Sequence, residues 1–246
     1  MHIAHSTSPD TRSPIQTWLP VVLAALGVGG LLLVGPNAAT ILPFTIHPDA
    51  NLDARIKYQL ITLVMTFIFL VILYRLRPEN FRRFARLGDM RANPAPVSWL
   101  GIKEKDTWRQ VGLTFALIVT IATAAFIYMG FLQDGVPVEQ LVSVLPWAVL
   151  LSVSNAFVEE SLTRFGVVVG LYGRIPNNLI YITAALIFGI PHYLGTPGGP
   201  VGALMAGFLG WLLAKSLVET RGVFWAWFIH FLQDVVIITA LLAVGM

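Results

Sequence analysis

Seven stretches of the chain are almost wholly apolar, at 17–35, 59–76, 108–132, 139–172, 179–194, 199–219 and 222–244, and polar residues gather between them. About 20 consecutive apolar residues make a helix long enough to cross the hydrocarbon core of a bilayer. The pattern therefore predicts an all-α polytopic transmembrane helix bundle of about seven spanning helices, or six if one run lies in the interface. The fifth run is short and holds Pro191, which predicts a kink there. The fourth is longer than a bilayer requires, so one end is expected to project from the hydrocarbon.

Composition agrees with the pattern. Of 246 residues, 56% are hydrophobic and 12% charged, whereas a soluble domain carries about 25% charged residues. The absence of cysteine removes disulfides, thiolate zinc sites and cysteine nucleophiles together. Positive charge is concentrated in 75–109, which holds Arg75, Arg77, Arg82, Arg83, Arg86, Arg91, Lys103, Lys105 and Arg109. Basic loops stay cytoplasmic, so the N-terminus is expected inside and the C-terminus outside, with Asp134 in an external loop. Membrane topology accounts for the basic cluster without a nucleic-acid partner. Phe81, Phe84 and Leu87 among those arginines suit a short interfacial helix on anionic lipid. Trp18, Trp108, Trp225 and Trp227 are expected at helix starts in the interface, and Asp106 or Thr107 is expected to cap the third helix. In the sixth run Gly199, Ala203 and Gly207, and then Gly202, Ala206 and Gly210, form rows that let helices approach closely.

Ionised groups interrupt this apolar pattern. Glu159, Glu160 and Arg164 sit on the fourth run, His192 ends the fifth, and His230 and Asp234 lie on the seventh. Each charge near a bilayer centre costs about 2.5–3.5 kcal/mol, so Glu159, Glu160, Arg164 and Asp234 together reach about 10 kcal/mol before pairing. Glu160 and Arg164 are one turn apart and can pair, which leaves Glu159 on a polar stripe with Ser152, Asn155, Thr163 and Gly166. A carboxylate so placed suits a general base acting on water. Helix rise puts Glu159 and His192 ~20 Å, His230 ~10 Å and Asp234 ~17 Å from the cytoplasmic helix ends. Structural readings stand beside the functional ones: an ion pair at Glu160 and Arg164, an interface histidine at 192, a His230–Asp234 bond within one helix, and packing for Phe188. Lys215, Glu219 and Arg221 read as an interfacial helix end.

The order Glu-Glu-x-x-x-Arg (Glu159, Glu160, Arg164), Phe-x-x-x-His (Phe188, His192) and His-x-x-x-Asp (His230, Asp234) resembles the three motifs of the CAAX prenyl endopeptidase and bacteriocin-processing (CPBP or Abi) family of intramembrane glutamate proteases. The resemblance covers about 139–246. It implies a catalytic core there, with 1–16 a polar N-terminal tail (His2 and His5 incidental) and 17–138 accessory transmembrane helices carrying the basic cytoplasmic loop 77–107. It implies an endopeptidase in which Glu159 and His192 activate water, His230 and Asp234 stabilise the oxyanion, and Glu160 with Arg164 holds the helix. Asp234 departs from the pattern's asparagine, because a carboxylate donates no hydrogen bond; as an anion it would orient His230 instead. No cofactor is expected. The alternative is a zinc-dependent membrane protease using Glu159, His192 and His230, although no His-Glu-x-x-His spacing is present. A proton-coupled transporter or a peptide-toxin immunity protein is the non-enzymatic alternative. The partners expected are a membrane-associated peptide or protein substrate, including CAAX-type tails, and the lipid of a bacterial plasma membrane.

Overall fold

A computed structural model describes residues 13–133, 135–195 and 198–245; His2, His5, most of the expected tail and Asp134 lie outside the described residues. Among the described residues the chain forms helices and no strand, with one isolated antiparallel bridge between Val97 and Ile102 in the long 85–107 connection. Six helical segments have the length and apolarity to cross a membrane: Pro14–Ile41, Ala50–Leu76, Trp108–Leu132, Val138–Leu171, Gly199–Thr220 and Phe224–Ala243. The number is the lower of the two expected counts, and the fifth run is the one that falls short. Helix α7 (Asn177–Gly189) has 13 residues and gives way to a 3₁₀ turn, Pro191–Leu194, because Pro191 offers no N–H to continue the helix.

Helix α1 (Pro14–Ile41) starts on a proline behind the Ser13 cap. Helix α2 (Ala50–Leu76) begins nine residues before its apolar run. Its polar first turns are held by the Asp49 side chain, which accepts from the Leu52 N–H, and by a Lys57–Asp53 pair at 2.7 Å. Helix α3 (Pro78–Phe84) follows directly. Its aromatic residues pack inward: Phe84 is fully buried and Phe81 stacks edge-on to Phe165, leaving Leu87 exposed. The segment after α3 docks on the turn between α8 (Gly199–Thr220) and α9 (Phe224–Ala243), through Asp89 N–H to the Thr220 carbonyl and Val223 N–H to the Arg86 carbonyl. Gly88, at φ +90°, and Gly222 allow this approach, since a Cβ on Gly222 would lie 2.2 Å from the Gly88 nitrogen.

Helix α4 (Trp108–Ile127) opens on a capping box from Thr107 to Gln110. Trp108 is fully buried and donates from Nε1 to Glu219 at 3.0 Å, and Trp225 is buried too. These two tryptophans serve packing at the helix ends rather than the lipid interface. Lys215, itself buried, pairs with Glu219, so this expected interfacial end is an internal polar joint.

Helices α7 and α8 pack face to face through the small-residue rows. A Cβ on Gly189 would meet the Ala203 carbonyl at 2.7 Å, whereas one on Gly207 would find its nearest neighbour at 3.6 Å. Gly189→Ala is expected to destabilise by about 1–3 kcal/mol through backbone overpacking. Gly207→Ala is expected to be near neutral or stabilising, given alanine's higher helix propensity. Thermal unfolding of the two variants in detergent reads the difference; equal midpoints would contradict the close contact.

Candidate active site

The long fourth span is interrupted where its charges lie. Helix α5 (Val138–Glu160) passes into a π-helical turn, Ser161–Phe165, and resumes as α6 (Gly166–Leu171). The Gly166 N–H reaches the Ser161 carbonyl, one residue further than in an α-helix. Every residue of this turn is buried, Arg164 at 0% exposure. Such a turn re-aims the side chains around it without breaking the helix.

Glu160 and Arg164 pair at 3.0 Å, and the same Glu160 oxygen accepts a 2.7 Å hydrogen bond from His230 Nδ1. The other nitrogen, His230 Nε2, lies 3.6 Å from Glu159 and 3.5 Å from Asp234. Those two distances exceed good hydrogen-bond length, so His230 is anchored by Glu160 across the helix gap rather than by Asp234 on its own helix. Both nitrogens face acceptor-only groups, which fits an imidazole donating from both. Asp234 Oδ2 and Glu159 Oε1 each accept from the Asn155 amide nitrogen at 3.1 Å. Glu159 is the more accessible carboxylate, its side chain 20% exposed against 6% for Glu160.

Helix α7 brings the second histidine. His192, in the 3₁₀ turn after Pro191, places Nδ1 2.7 Å from the Phe188 carbonyl. The Phe188 ring lies 4.2 Å from the His192 ring and 5.4 Å from that of His230, and the Arg164 guanidinium carbon stacks over it at 3.4 Å. Phe188 thus packs between both histidines and the arginine.

Glu159 and His192 share the walls of two cavities. One, about 510 Å³, runs between α4, α8 and α9 and also exposes His230, Asp234 and Asn155. The other, about 190 Å³, lies against Val28 and Leu31 of α1. All six residues singled out from the sequence (Glu159, Glu160, Arg164, His192, His230, Asp234) lie in this one region, Glu160 and Arg164 behind the wall and the other four on it. Two members were not singled out: Tyr58 lines both cavities, and Gln59 donates from Nε2 to Asn155 Oδ1 at 3.2 Å. A polar side chain at the start of an apolar run is the signal that could have found Gln59.

Among the described residues no group of three or more His, Asp or Glu side chains is arranged to hold a metal ion. Both nitrogens of His230 are turned to carboxylates, and His192 commits Nδ1 to a carbonyl.

Residues 141–236, less than half of the chain, match the family model described as Rce1-like, type II CAAX prenyl endopeptidase. The stretch contains all three motifs, and the family resemblance read from them holds there. No curated protein and no solved structure matches the chain.

Proposed function

We propose, with the Rce1-like family of residues 141–236 as the premise, that this chain is an intramembrane endopeptidase using a glutamate-activated water. The reading is carried by one observation: Glu159, the least buried carboxylate of a charge cluster inside the bundle, shares a cavity wall with His192, His230 and Asp234. Water held between Glu159 and His192 gives a proton to Glu159 as its oxygen attacks the scissile carbonyl carbon. The carbonyl oxygen becomes an oxyanion facing His230 Nε2–H, a donor not already spent on a short bond. Collapse of the tetrahedral intermediate breaks the C–N bond, and the proton on Glu159 passes to the departing amine. Glu160, paired with Arg164, orients His230 in this scheme through Nδ1, and Asp234 places its charge beside Nε2 instead of donating to the oxyanion.

The larger cavity, walled by apolar residues of α4, α8 and α9 such as Phe126 and Leu209, supports a membrane-associated peptide or protein tail as substrate, CAAX-type tails included. The test is cleavage of a fluorogenic peptide library by purified protein in detergent. Wild type is expected to cleave after exhaustive chelation at its untreated rate. His192→Ala is expected to lower kcat about a hundredfold, within the range for a lost acid–base partner. Cleavage restored only by added zinc would overturn the metal-free mechanism.

A further inference from the structure

We propose that Asn155 and Gln59 are positioning residues of this reaction, holding Glu159 and Asp234 in register through one shared amide; the inference rests on the proteolytic reading above. Asn155 lies one turn before Glu159 on α5, and its Nδ2 is 3.1 Å from both Glu159 Oε1 and Asp234 Oδ2. An amide nitrogen has two hydrogens, and ionised carboxylates only accept. The two carboxylates therefore fix which way the Asn155 amide points, and its oxygen must face Gln59. That oxygen in turn needs a donor, which fixes Gln59 with Nε2 toward it, at 3.2 Å. The orientation of both amides follows from the charges beside them.

Three consequences bear on catalysis. Two carboxylates on different helices are bridged by a neutral group that serves both, where they would otherwise face each other across the cavity. Glu159 is tied by Oε1, which leaves Oε2 as its oxygen toward His230 Nε2. Helices α2, α5 and α9 meet at one side chain, so the site extends to a helix outside residues 141–236. Gln59 is 8% exposed within a spanning segment. A buried polar residue there calls for a partner of this kind.

A polar tie that merely holds helices together would change stability and leave turnover alone. Gln59→Glu changes little volume but sets acceptor-only oxygens against Asn155 Oδ1, so Asn155 must turn its amide nitrogen away from Glu159 and Asp234. Gln59→Met removes the orienting donor without adding an acceptor. With a library peptide that wild type cleaves, kcat is expected to fall about 30-fold or more for Gln59→Glu and up to about tenfold for Gln59→Met, the scale of a misplaced catalytic group. KM should stay within about threefold for both, since the loss falls on the chemical step. In an Asn155→Leu background, Gln59→Glu should have no further effect beyond about twofold, because coupled residues are not additive. Monodisperse elution in detergent checks folding, and Gln59→Met keeps the test open should the glutamate variant fail to fold. Wild-type kcat in the folded Gln59 variants, or the same fold-loss with and without Asn155, would overturn the proposal. Cleavage by wild type and none by Glu159→Gln would still leave the protease reading standing in that event. If wild type cleaves no library peptide, both fall together.

Discussion

Glu159→Gln is expected to lower peptide cleavage about a thousandfold, the middle to upper part of the range for removing a general base, while the protein stays folded. The substitution keeps the side chain's length, and a glutamine Oε1 still accepts from Asn155 Nδ2, the contact that Glu159 makes at 3.1 Å. What disappears is the capacity to take a proton from water and return it to the leaving amine. Because the interaction lost is made in the transition state, kcat and kcat/KM should fall by similar factors, and KM for a fluorogenic peptide should barely move. A matched Glu160→Gln variant separates the two carboxylates. Glu160 is buried between Arg164 and His230, so its loss is expected to show in thermal stability as well as in rate. Full cleavage by folded Glu159→Gln would remove the proposed base. It would return the cluster to a binding or transport role.

The sequence made the membrane bundle legible because apolar run length reports directly on the bilayer. Where it misled, local chemistry overrode that signal. The start of α2 was hidden by Asp53, Arg55 and Lys57, which hydropathy reads as loop but which the Asp49 cap and the Asp53–Lys57 pair keep helical. The fifth run looked like a span because Ile190 and Leu194 continue the apolar pattern past Pro191, yet the missing N–H ends the α-helix there. Trp108 and Trp225 looked interfacial because aromatic residues at helix starts usually are. Burial by the docked 85–107 segment could not be read from spacing.

At the site, the Glu160–Arg164 pair is one turn long and was visible as such. The tight bond from His230 to Glu160 was not, because it joins residues 70 positions apart and depends on how α9 is rotated against α5. The i, i+4 spacing of His230 and Asp234 suggested a bond that stands at 3.5 Å. The π turn at Ser161–Phe165 has no sequence signature of its own. It shifts every later side chain on that span relative to simple helical counting.

Arg164→Met is the variant expected to cost most in stability, about 3–5 kcal/mol, the penalty for removing one partner of a buried charge pair. Arg164 has no exposed surface, and its environment is built for a planar cation. Nη1 reaches Glu160 and the Thr163 hydroxyl, at 3.0 and 2.9 Å, and its plane lies on Phe188. Nε and Nη2 have no hydrogen-bond acceptor among the described residues. Methionine would fill part of the space and leave Glu160 with the His230 hydrogen bond. Arg164→Lys tests the stacking separately: it keeps the charge but lacks the flat guanidinium, so its thermal midpoint should fall between those of wild type and Arg164→Met. The double variant Glu160→Gln with Arg164→Met should be less destabilised than the sum of the single changes, because neither then strands a buried charge. If Arg164→Met unfolds at the wild-type midpoint, the stack of Arg164 on Phe188 is not holding this span to α7, and the rigid support assigned to Phe188 and both histidines loses its basis.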